Sequence, residues 1–209
     1  MIINKETQNA ARDTVVDDKN IENNIRHIVV QALKEGKMQP EEIKQILNEV
    51  IEGACEGVTV QTGSKDALKQ AITGIDDALT QVAGASKLAI EEASGNLQEF
   101  SDHDLKRALN DLETLESLFF DSLNEVANKG QETAHETLKD LLSHFQNSGT
   151  SVGQSVKEML TGLHHDLSKD GRLQKIQLAD IAKSTGATVA HVASGLFAGI
   201  AESLELKKK

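Results

Sequence analysis

GSKDALKQAIT (residues 63–73), GIDDALTQVAG (74–84) and ASKLAIEEASG (85–95) align without gaps, and the alignment sets a period of eleven residues. Carried forward, the sixth position of the register reads Leu68, Leu79, Ile90, Ser101, Leu112, Leu123, Ala134, Phe145, Val156, Leu167, Leu178, Val189 and Ile200. Only Ser101 and Ala134 interrupt that column of large apolar side chains. An eleven-residue period corresponds to about 3.67 residues per turn, close to the undistorted α-helix. It predicts long helices that stay straight or cross with a right-handed sense, rather than heptad coiled coils. Companion columns carry Ala71, Val82 and Ala93, and Ile75, Leu97, Ala108 and Phe119, with the small residues Ala67, Ala78 and Ala89 alongside. The stripe is therefore shallow: it lets helices approach closely but buries less area per residue than a Leu-rich face.

Working outward, the register predicts helices over 64–100, 103–147, 151–168 and 172–206. Asp102 and Ser151 are the candidate N-caps, and Asp170–Gly171 is the turn before the last helix. Asn128–Lys129–Gly130 offers a glycine stop inside the second helix, but the register runs through it and favours continuity. Upstream, Ile21, Ile25, Ile28, Val29, Ala32 and Leu33 recur at helical spacing up to Gly36. Pro40, followed by Glu41 and Glu42, suits the first turn of another helix, lined by Ile43, Ile46, Leu47, Val50, Ile51, Ala54 and Val58. Residues 1–17 show no helical stripe and read as a mobile lead-in. The expected organisation is all-α: a lead-in over 1–17, a helical hairpin over 18–62, and an elongated long-helix bundle over 63–206.

Composition agrees with this class. The chain has one Pro, no Trp, no Tyr and five Phe, and aromatics make up 2% of it, too few for a β-sandwich or barrel. A net charge of −11 argues against nucleic acid, whose phosphates demand Lys and Arg, and against attraction to anionic lipid headgroups. The single cysteine, Cys55, cannot form an intrachain disulfide, and the start MIINKETQNAARD lacks the features of a secretory signal. The expected location is cytoplasmic, with peripheral attachment to a granule or membrane. The stretch Ser184–Ala201 lacks Asp, Glu, Lys and Arg, but Ser, Thr, Gly and His191 interrupt it, so a membrane-spanning helix is not expected.

Chemistry-bearing constellations are sparse. Glu132 and His135 form a Glu-x-x-His pair beside Glu136, but a ferritin-like dimetal centre needs a second such pair. His164–His165–Asp166 places neighbours about 100° apart on a helix, and His103 fits helix capping at least as well. Neither has the spacing that would set two imidazoles on one face. Cys55 falls beside the apolar stripe of its helix, where a thiol packs rather than reacts. The acidic run 91–125 reads as a solvated helix face. The expectation is a chain without catalytic residues, metal, organic cofactor or small-molecule substrate.

The eleven-residue amphipathic pattern over about 63–205 resembles that of apolipoprotein, perilipin and synuclein-type surface helices. The acidic, Ala-, Gly- and Leu-rich profile, nearly free of Pro and aromatics, is similar to that of bacterial phasins, which coat polyester storage granules. The resemblance is one of pattern and implies a class of behaviour rather than particular residues. Lipid-surface helices often carry Lys at the polar–apolar boundary, whereas Asp and Glu dominate here, which points to neutral granules or droplets. The expected function is association with a hydrophobic surface. The C-terminal stripe of Val189, Val192, Leu196, Phe197, Ile200 and Leu204 would lead, with self-association of the chain. The alternative is a structural protein whose helices stack into an oligomer or filament.

Overall fold

A computed structural model describes residues 5–17, 19–35, 39–60, 65–95, 102–129 and 132–169, all of them in helices or the turns beside them. The elements are α1 (Lys5–Asp17), α2 (Ile21–Glu35), α3 (Pro40–Val60), α4 (Lys65–Gly95), α5 (Asp102–Lys129), α6 (Glu132–Ser148) and α7 (Ser151–Lys169). They pack as an all-α bundle, and no strand occurs among the described residues.

The eleven-residue column faces the core wherever it is described. Leu68, Leu79, Ile90, Leu112, Leu123, Ala134 and Val156 are buried, and Phe145 is half-buried against the core. The four remaining apolar members, Leu167, Leu178, Val189 and Ile200, lie outside the residues whose side chains are described, as does Ser101. The helix that carries the clearest repeats, α4, is also the central one, touching each of the other helices. Ala67, Ala71, Ala78, Ala83 and Ala85 are buried along it, so neighbours approach it on several sides. A helix surrounded in this way needs apolar or small residues over most of its circumference, not along one stripe.

Three expectations require correction. Residues 5–17 are not a lead-in but the helix α1, with Thr7, Ala11 and Val15 buried one turn apart. Its stripe is weak because it docks on a surface cleared of side chains. A Cβ on Gly53 would collide with the Gln8 carbonyl oxygen, and one on Gly57 would lie 2.7 Å from the Arg12 carbonyl oxygen. Gly53 opposes Gln8 and Ala11, and Gly57 opposes Arg12 and Val15, so α1 runs parallel to α3 in backbone contact with it.

The hairpin expected over 18–62 exists as two successive helices whose main partners are elsewhere: α2 packs chiefly on α4, and α3 on α1 and α5. Gly74 of α4 permits the first of these pairings, since a Cβ there would meet the Glu22 backbone. Finally, the helix expected over 103–147 is two helices, α5 ending at Lys129 and α6 beginning at Glu132. Phe119 and Phe145 face each other with ring centroids 5.9 Å apart, and His135 Nδ1 donates to the Ala127 carbonyl. These pairs are roughly symmetric about residue 131, so α5 and α6 fold back on each other. An eleven-residue register survives such a reversal because it records which face is apolar, not whether the helix continues.

Candidate functional site

The described residues offer a polar junction at the start of α7 and a cleft between α1, α3, α5 and α6. The junction begins with Gly149, whose φ of +81° and N–H bond of 2.8 Å to the Phe145 carbonyl close the end of α6. Thr150 follows as the N-cap of α7, one residue before the expected Ser151. Its hydroxyl accepts the Gly153 N–H at 2.9 Å and donates to the Glu116 carboxylate of α5. The two donors of α7 ahead of Gly153 are satisfied from α4. Asp76 Oδ2 accepts the Ser151 N–H at 2.8 Å, and its Oδ1 accepts the Val152 N–H at 2.9 Å, across 75 and 76 residues of sequence.

Asp76 is only 3% exposed, and its burial pushes the carboxyl above the ordinary aspartate range while the bonds from Val152 and Ser151 pull it down. Ionised Asp76 therefore carries a desolvation cost that the two N–H bonds and a bond from the Ser151 side chain only partly offset. It stands in the third column of the repeat, between Lys65 and Lys87, and nothing in that local context distinguishes it from a solvent-facing acid. Along α7 itself, Val152, Val156 and Leu163 are buried and Met159 half-buried, at helical spacing, while Gln154, Lys157, Glu158, Thr161 and His165 are exposed. Asp76 meets residues 151 and 152 and Gly84 approaches Met159, so α7 lies parallel to α4.

The cleft, about 480 Å³, is lined by Cys55 with Glu52, Glu56, Arg12 and Lys129 among its charged neighbours. Burial, and then the adjacent carboxylates of Glu52 and Glu56, push the Cys55 thiol up to about 12, so it holds its proton. Glu52 is also raised, chiefly by burial, against the opposing pull of Lys129. At the rim, Glu125 accepts from Lys129 at 2.7 Å and pairs with Lys44 at 2.9 Å, and those bonds hold its carboxyl down at about 2. Among the residues lining the cleft there is no histidine, and the charged neighbours of the thiol that raise its pKa are carboxylates, which disfavour the thiolate.

Of the other sequence candidates, the side chains of Glu132, His103, His164 and Asp166 lie outside those described. His135 is used in the α5–α6 hairpin, while Glu136 and His165 point to solvent. Among the described residues, no group of three or more His, Cys, Asp or Glu is placed to hold a metal ion. Also among these residues, no helix is long and apolar enough to cross a membrane. The surface-binding candidates Val189, Val192, Leu196, Phe197, Ile200 and Leu204 lie outside the described residues.

Residues 1–206 match the family described as a family of unknown function, DUF6781. No curated protein and no solved structure matches the chain.

Proposed function

The chain belongs to the DUF6781 family, whose function is unknown, and we propose that it is a non-enzymatic amphipathic helical protein of hydrophobic surfaces. Its surface would be a storage granule, a lipid droplet or the face of a membrane in the cytoplasm. The observation that carries this reading is the apolar column from Leu68 to Val156, which along α4 is set among the buried small residues Ala67, Ala71, Ala78 and Ala83. A helix contact of this kind yields modest free energy per residue, at roughly 25 cal/mol per Å² of apolar area, and is readily exchanged for a lipid or polymer surface. The same column continues in sequence through Leu178, Val189 and Ile200, across the uncharged stretch Ser184–Ala201. Area burial drives the association, because a chain of net charge −11 gains nothing from anionic headgroups.

Flotation with a neutral lipid emulsion or polyester granules tests this reading. The wild-type chain is expected to float with little dependence on salt, and the pair Leu196→Asp with Phe197→Asp to remain in solution. Loss of the two apolar contacts corresponds to about 3 kcal/mol or more. A wild-type chain that stays in solution with every neutral surface, while forming a stable oligomer, would replace this function with assembly through stacked helices.

A further inference from the structure

Glu52, Cys55, Glu56 and Thr59 recur at spacings of three and four residues, so one face of α3 walls the cleft between α1, α3, α5 and α6. The inner end of the cleft is apolar. Val126 and Ala134 are buried there, and the Cys55 thiol, only 8% exposed, lines the space with no hydrogen-bond partner among the described residues. The charges around the cleft are unequally matched. Arg12 is bonded to Asp13 at 2.8 Å and Lys129 to Glu125 at 2.7 Å, so both lining cations already hold carboxylates that do not line it. Glu56 accepts from the Gln8 side-chain amide at 2.8 Å, and neither Glu52 nor Glu56 forms an ion pair among the described residues. These two carboxylates stand one turn apart, where like charges repel unless a cation comes between them. Burial first, and then Glu56 with its acidic neighbours, hold the Glu52 carboxyl above its ordinary range despite the pull of Lys129.

We infer that this cleft binds a small cationic amphiphile, an alkylammonium whose charged end lies between Glu52 and Glu56 and whose chain enters over Cys55, Val126 and Ala134. Its volume of about 480 Å³ falls in the range of sites for small organic ligands. An ammonium group brings three donors and no acceptor, enough to bridge two carboxylates that no cation of the chain has claimed. The thiol suits the other end of the ligand, because a protonated Cys behaves as a small polarizable apolar group. A fatty acid meets the opposite situation. Its carboxylate would have to displace Asp13 from Arg12 or Glu125 from Lys129, and would then face the unpaired Glu52 and Glu56. The site is separate from the proposed surface function, since it uses neither the C-terminal stripe nor the buried column of α4.

Amide NMR titration of the full chain at neutral pH decides the matter, with octylammonium, octanoate and octanol as probes, each below its micelle concentration. Octylammonium should shift amides of residues 52–60 and 126–129 along a saturable curve. Octanoate should bind at least about fivefold more weakly, the factor expected from one partly screened ion pair. Glu52→Gln, at a half-buried position that the fold does not depend on, should weaken octylammonium by about the same factor. Lys129→Gln should leave octylammonium binding unchanged or tighter, because it removes a competing cation. Octanoate binding as tightly as octylammonium, or a loss of octylammonium affinity in Lys129→Gln, would overturn the proposal in favour of an anion site. Unchanged affinity in Glu52→Gln, shifts centred away from α3 and α5, or no saturable shift at all would overturn it outright. No lipid or granule enters the titration, so its failure leaves the surface function standing, and failed flotation leaves the cleft standing.

Discussion

Where α1 crosses α3, Gly53 and Gly57 bring two backbones into contact; where α7 lies along α4, a carboxylate on one helix closes the N-terminus of the other. The first contact is formed by removing side chains. Its free energy comes from dispersion and area burial, and the shape of the groove sets its register. The second is formed by supplying a charged acceptor to donors that α7 cannot satisfy within itself. Shape complementarity tolerates almost no added atom, whereas a hydrogen-bonded cap can be undone and rehydrated. The contrast therefore separates a contact set by the shape of two backbones from one set by hydrogen bonding to a buried carboxylate.

The largest expected effect comes from adding bulk to the first contact. Gly53→Val should lower stability in denaturant titration by about 3 kcal/mol, because α1 must move away from α3 to admit the branched side chain. Gly162→Ala, in a helical position with open space, should instead raise stability by about 0.5 kcal/mol. If both glycines tolerate substitution equally, backbone contact does not hold α1.

Thr150→Ala probes the second contact more gently than loss of Asp76, since it removes the bond from Gly153 and the tie to Glu116 but leaves the α4 carboxylate in place. A loss of about 1 kcal/mol is expected, with the denaturant slope unchanged. A cost as large as that of Gly53→Val would show that the α7 junction is as rigid as the α1 crossing.

The smallest effect belongs to the exposed pair between α3 and α5. Glu125 is held well below its ordinary value of 4.5, at about 2, so its contribution to stability is present above pH 4.5 and is lost as pH falls toward 2. Because its side chain is a third exposed, solvent screens much of that contribution. Glu125→Gln should therefore leave the melting temperature near neutral pH almost unchanged and flatten its fall across that acid window. An unchanged acid limb would remove the ion pair from any account of how α3 holds α5.

Helix type and apolar face were legible in the sequence because both are local. The i to i+4 backbone bond and the period of the side chains repeat within each turn, so the column from Leu68 to Val156 could be read and is buried. Pro40 at the first residue of α3 was legible for the same reason. The break before α6 was not legible because the apolar register runs on past Gly130, and the return of α6 along α5 is visible only through pairs such as Phe119 with Phe145. The helix α1 was not legible because Thr7, Ala11 and Val15 form an adequate stripe only against the glycines of α3, some forty residues away. Asp76 was unreadable as a cap, since its partners stand 75 residues downstream and its own surroundings are those of an ordinary helical acid. Local periodicity alone determined that the chain is helical and which faces turn inward. Only the tertiary structure decided which helices meet, because that depends on the fit of surfaces, and the satisfaction of backbone donors, between segments far apart in the chain.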